Sequence, residues 1–299
     1  MSATARGRRR LPRVPLKGAF NRGLARATGY ELRKAAGGRE KRRKRSGGER
    51  GDRLLRRPAF VMCTVRSGST LLRVLLDSHS RIHSPQELHL RDMAVRVKTD
   101  YAAKAYSEIG LDEEQLRFLL WDRLLHRELT AAGKSVLVNK TPNDVFIADL
   151  IARAWPDARF IYLLRHPGAI ARSRQDTRPQ DSAERNAQMV LRYGNALEEA
   201  RRARPGITVR YEELTADPKT TTQRICSYLD VPWEASMLEY GRFDHGRMKP
   251  GLGDWKAKIK SGAIQAADPL PALADVHPSL HDLCAAWGYA PAPAVQPAP

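Results

Sequence analysis

Residues 66–70, Arg66-Ser67-Gly68-Ser69-Thr70, combine a guanidinium, hydroxyls and a glycine in one short run. That combination suits an anion. Gly68 lets the backbone come close to a ligand, the hydroxyls add donors, and the arginine keeps its charge at any working pH. The apolar run Ala59–Val65 precedes it, and Leu71, Leu72, Leu75 and Leu76 follow at helical spacing. The five residues therefore read as the turn from a buried strand into a helix. There the loop amides and the first unpaired N–H groups of the helix aim at one spot, where the helix dipole also favours negative charge. Nucleoside triphosphatases place a lysine directly after the second glycine of such a loop, but here Gly68 is followed by Ser69 and Thr70, and the basic residue stands before the glycine. Nor does an apolar run end in an aspartate fit to hold magnesium. Ser135–Val138 runs into Asn139 and Lys140, and Phe160–Leu164 runs into Arg165. Strands ending in lysine and arginine suit an anion bound without a metal, so no metal is expected.

Two stretches carry a family likeness. Arg66-Ser-Gly-Ser-Thr-Leu-Leu72, together with Leu164-Arg-His-Pro-Gly-Ala-Ile-Ala-Arg-Ser173, resembles the signatures of sulfotransferases that use 3′-phosphoadenosine 5′-phosphosulfate (PAPS). The likeness extends over the motifs from Ala59 to Tyr289. It implies PAPS as co-substrate, with Arg66, Ser67, Gly68, Ser69 and Thr70 cradling the 5′-phosphosulfate and Arg165 and Ser173 taking the 3′-phosphate. It also implies Lys140 beside the bridging oxygen and Tyr211 near the nucleotide. Trp255, Lys256, Lys258 and Ser261 resemble the family's closing loop by position and composition alone. In the branch acting on small phenols and steroids a histidine closely follows the lysine, whereas here Thr141 is followed directly by Pro142. The resemblance is therefore nearer the branch of protein-tyrosine and heparan sulfotransferases, which implies Glu87 as general base. His83 and His89 are its rivals, because imidazole titrates near neutral pH. The implied reaction is in-line transfer of a sulfuryl group to a hydroxyl of a small molecule or sugar. Two alternatives are a nucleoside-type kinase, against which the missing lysine and aspartate argue, and a nucleic-acid or membrane adaptor.

The elements that must hold these residues alternate. Strands are expected at 59–65, 135–138, 159–164 and 207–211. Helices are expected at 112–129 (apolar face Leu116, Leu119, Leu120 and Leu124), 142–155 (Val145, Ile147, Leu150 and Ile151 inward), 182–204 and 217–229. Such alternation specifies an α/β fold, a P-loop-like parallel sheet with helices on both faces, with ligands beyond the carboxyl ends of the strands. Residues 79–90 lie just past the cradle helix and can return polar side chains to the site. Residues 241–262, rich in Gly, Lys and Arg, read as a loop closing over a nucleotide. The acceptor wall is expected from 80–130 and 174–190, with no readable code for the acceptor.

The formal net charge is +19, but residues 1–57 hold 20 Lys and Arg against 4 Asp and Glu, leaving 32 against 29 for the rest. The expected organisation is a basic, disordered tail over 1–57, one sulfotransferase-like domain over 58–290 and a short tail over 291–299. Nucleic acid or an anionic membrane is expected as partner only through the first tail. Cys63, Cys226 and Cys284 are far apart, which indicates neither a disulfide framework nor a zinc site. With no secretory or membrane-spanning run, a reducing cytoplasm is expected, and oligomeric state stays open.

Overall fold

The computed structural model describes residues 53–246 and 257–289. Most of the expected basic tail and all of the C-terminal tail lie outside the described residues. So do Trp255 and Lys256.

Five parallel strands form the sheet: β1 (Ala59–Cys63), β2 (Ile82–His83), β3 (Val136–Lys140), β4 (Arg159–Leu164) and β5 (Ile207–Arg210), in the order β2-β3-β1-β4-β5. β1 is buried along its whole length. Side chains alternate across a strand, so Phe60 and Met62 face one layer and Ala59, Val61 and Cys63 the other. Helix α1 (Ser69–Asp77) covers the second layer with Leu71, Leu72, Leu75 and Leu76, all buried as their spacing predicts. The first layer holds α2 (Glu113–Ala131), α3 (Ala148–Ala154) and α4 (Ala183–Ala203). The C-terminal Trp287 closes that layer, its Nε1 donating to Glu198 at 3.2 Å.

Several expectations need correction. Asp112 caps α2 as its sequence suggests, its side chain accepting from the N–H of Gln115. The inward face of α2, however, is Phe118, Trp121, Asp122 and Leu125, and Leu120 is 43% exposed. The indoles decide this: Trp121 stacks on Trp155, which packs on Phe60, and burying rings of that size is worth more than burying the leucine stripe. Arg53–Arg57, assigned to the tail from sequence, lie on the body. The N–H groups of Leu54 and Leu55 donate to the buried Asp122 carboxylate at 2.7 and 3.1 Å, and Trp155 Nε1 adds a third bond at 3.0 Å. β3 runs on through Asn139 and Lys140 rather than ending at Val138. Pro142 starts a 3₁₀ turn over Pro142–Ile147 before α3 begins. Tyr211, expected to end a strand, opens the short helix Tyr211–Ala216. The two-residue edge strand β2 and an exposed helix at Asp100–Glu108 were not foreseen.

Candidate active site

The sheet delivers its polar residues to one edge. Between β1 and α1 the chain turns through Arg66 (φ 65°) and Gly68 (φ 82°), both left-handed, and α1 starts at Ser69. Gly68 is required twice. Its φ is costly for any residue with a Cβ, and a Cβ there would lie 2.1 Å from the Tyr211 ring. The Tyr211 ring therefore packs directly against the loop. The Arg165 guanidinium, at the end of β4, stacks 4.5 Å above that ring and donates to the Arg66 carbonyl at 2.8 Å. Arg66 Nε in turn donates to Ser173 Oγ at 3.2 Å, on the helix Pro167–Thr177. Burial lowers the Arg165 pKa from its ordinary value, yet a guanidinium remains charged at neutral pH. Two arginines, a serine and a helix N-terminus thus converge across the β1–β4 seam.

A second group lies at the end of β3. The Lys140 side chain is completely buried and donates to Glu87, whose side chain is 12% exposed. An ammonium removed from water in this way requires its carboxylate partner, because either charge alone would be strongly penalised. His89 Nε2 lies 3.8 Å from Glu87 and its Nδ1 3.8 Å from Asp92. His83, the other rival base, faces elsewhere, 3.3 Å from Asp77 at the end of α1. Burial works against ionisation of Asp77. Hydrogen bonds from His245 and His83, the Ser84 N–H and the Lys134 charge outweigh it and hold the carboxyl well below its usual range. Asp144, in the 3₁₀ turn, accepts from Asn139 Nδ2 at 2.7 Å. Burial and the nearby Glu87 charge push its pKa up to about 8. Burial also raises the Cys63 thiol to about 11 despite the Lys140 charge, leaving it a packed, unreactive group.

A cleft of about 1230 Å³ joins the two groups. It is lined by Arg66, Gly68, Ser69 and Thr70 of the loop, by Arg165, Ser173 and Tyr211, and by Glu87 and Lys258. Lys140 sits behind Glu87. Two predicted residues stand apart. Ser67 turns its hydroxyl inward to the Thr64 carbonyl at 2.8 Å, and Ser261 bonds the Lys258 carbonyl at 2.7 Å beside a neighbouring cavity. Lys258 itself pairs with Asp268 at 3.2 Å on the rim. Arg174, which also borders the cleft, holds Asn186 at 3.0 Å and Asp181 at 3.4 Å. The ends of the 241–262 stretch meet backbone to backbone, Gly241 against Gly262, and Tyr240 OH donates to the Ala263 carbonyl at 3.0 Å. Asp144 was missed from sequence, where only its place in the polar run Asn139–Asp144 hinted at it. Among the described residues no group of His, Cys, Asp and Glu converges as a metal site, and no helix is long and apolar enough to cross a membrane.

Comparisons with known proteins bear on the family and the fold. Residues 58–235, more than half of the chain, match a family model described as the sulfotransferase family. A protein-tyrosine sulfotransferase of Drosophila melanogaster is 25% identical over 228 residues, covering 71% of this chain and 44% of the relative. The nodulation protein NoeE of Sinorhizobium fredii is 32% identical over 130 residues, 40% of this chain and 31% of that protein. The chain spans about half the length or less of these relatives. Among solved structures, the sulfotransferase domain of the curacin biosynthetic pathway superposes with a TM-score of 0.56 at 21% identity, over 79% of this chain and 99% of that domain. The sulfotransferase domain of the Synechococcus PCC 7002 olefin synthase gives 0.54 at 23% identity, over 79% and 97%. Both show a shared fold.

Proposed function

The chain belongs to the sulfotransferase family, and from that premise we propose that it moves a sulfuryl group from PAPS to a hydroxyl of a small-molecule or carbohydrate acceptor. One observation carries the reading: the cluster of Arg66, Arg165 and Ser173 beside the start of α1 faces one cleft that also reaches a buried lysine–glutamate pair. In this reading the loop at Arg66–Thr70 and the first turn of α1 bind the phosphosulfate, and Arg165 with Ser173 binds the 3′-phosphate. The acceptor hydroxyl gives its proton to Glu87 as its oxygen bonds to sulfur. The bond from sulfur to the 5′-phosphate oxygen breaks in line, and the Lys140 ammonium, released as Glu87 is neutralised, meets the negative charge growing on that oxygen. His89 orients Glu87 and takes no proton in the step.

The Drosophila relative's name makes a peptide tyrosine a second acceptor class. A cytoplasmic location belongs to the same reading, supported by three buried cysteines without disulfides. Calorimetry with adenosine 3′,5′-bisphosphate tests the donor site. Binding without magnesium, weakened about tenfold or more by Arg165→Ala, is expected, since a charge-assisted phosphate bond is worth about 1.5–3 kcal/mol. No binding at all would overturn the reading. Acceptors are then found by screening hydroxyl compounds, sugars and tyrosine peptides with labelled PAPS.

A further inference from the structure

Asp144 is 1% exposed and takes no part in the mechanism above. Its Oδ2 accepts the 2.7 Å bond from Asn139 Nδ2, but its Oδ1 has no partner. Asn139 has the complementary defect: its Oδ1, equally buried, also lacks a donor. Two buried acceptors without donors on one bonded pair are costly, and buried polar atoms are rarely left so. A single proton repairs both. Placed on Asp144 Oδ1, it makes that oxygen a donor and lets the carboxylic acid and the amide bond to each other twice, N–H to O and O–H to O. The surroundings favour the proton. Glu87 follows β2 and Asp92 stands in the turn after it, both raising the Asp144 pKa, while the Lys140 ammonium on β3, which favours the ionised form, is already bound to Glu87.

We propose that Asp144 carries a proton in the folded protein and acts as a positioning residue, closing a two-bond pair with Asn139 and leaving the Lys140 ammonium to Glu87 alone. An ionised Asp144 would put a second carboxylate in competition for that ammonium. This consequence rests on Glu87 and Lys140 being the reacting pair; the proton itself does not. The upward displacement of the Asp144 pKa to about 8 agrees with the geometry.

The test is thermal unfolding of the full chain and of Asp144→Asn, which mimics the neutral acid, from pH 5 to pH 8. A carboxyl with a raised folded pKa stabilises fully only below its unfolded value and loses that contribution as pH rises towards the folded value. The melting temperature of D144N minus that of the wild type should therefore widen by roughly 2–4 °C per pH unit. A difference that stays constant with pH overturns the proposal. Should D144N fail to fold, the infrared C=O band of a buried carboxylic acid in the wild type decides: expected at pH 7 and fading above pH 8, its absence at pH 7 is fatal. Affinity for adenosine 3′,5′-bisphosphate reads the effect on Lys140. It should fall above pH 8 in the wild type and not in D144N, and parallel falls overturn the positioning role. If neither protein binds the nucleotide, the donor reading fails, and the melting comparison still decides the proton.

Discussion

Lys140 shows how much of this site depends on single charges. Its ammonium is wholly buried with Glu87 as partner, so replacing either residue has two consequences that can be measured apart. Lys140→Ala should lower sulfuryl transfer by about a hundredfold or more and destabilise the fold by about 3 kcal/mol, because it strands a buried carboxylate. Glu87→Gln keeps the shape and should lose transfer to a similar degree while holding adenosine 3′,5′-bisphosphate within about threefold of the wild type, since the base meets the acceptor and not the nucleotide. Labelled-sulfate transfer and calorimetry separate the two, and an active E87Q would move the base to His89. Asp77 behaves in the opposite sense to Asp144. With its pKa held below the usual range, it contributes stability above the unfolded value near pH 4 and loses it as pH falls further. Asp77→Asn should therefore melt below the wild type at pH 7, with a deficit that shrinks below about pH 4; an unchanging deficit would mean that His83 and His245 contribute packing alone. The places of Lys140 and Arg165 at strand ends were legible because an apolar run leads into each. Asp144 was not, because its partner is brought beside it only by a 3₁₀ turn.

At the scale of elements, the seam between β1 and β4 does most of the positioning, and it turns on one glycine. Gly68→Ala meets both a φ of 82° and a ring 2.1 Å away. It should destabilise by about 2 kcal/mol or more and weaken nucleotide binding, because Tyr211 must move and Arg165 stacks on it. In the double variant with Tyr211→Ala the clash vanishes while the backbone strain remains, so the two losses should fall short of additive, as a melting cycle would reveal. Full additivity would mean that the ring does not press on the loop. Legibility followed burial. β1 and β4 are buried throughout and announce themselves as apolar runs, and α1 shows its stripe. β2 has two residues, too few for any period to appear. The helix Asp100–Glu108 buries nothing, so no amphipathic pattern was imposed on it. The face of α2 was misjudged because leucines were weighed above Phe118 and Trp121, whose rings fill more of the core.

For the whole molecule, the question is whether the basic N-terminal segment and the cleft act independently. Residues 1–52 hold 17 Lys and Arg against 4 Asp and Glu, so a chain beginning at Arg53 keeps only +6 of the formal +19. The remainder carries 35 Lys and Arg against 29 Asp and Glu, a near balance that leaves the truncated chain little excess for a polyanion. Contacts with phosphate surfaces scale with the number of free cations and weaken steeply with salt. The full chain should therefore bind a random-sequence DNA duplex at low salt, and the chain from Arg53 should not. The cleft should be indifferent to the cut. Leu54 and Leu55 still reach Asp122, and every residue lining the cleft lies beyond them in sequence. Adenosine 3′,5′-bisphosphate at a hundred times its dissociation constant stabilises a folded protein by about 2.7 kcal/mol, which at this size raises the melting temperature by roughly 5–10 °C. The same rise is expected in both chains, with DNA binding lost in one. A rise that disappears on truncation would mean that the basic segment completes the nucleotide site, and the cleft could no longer be treated as built from the folded body alone.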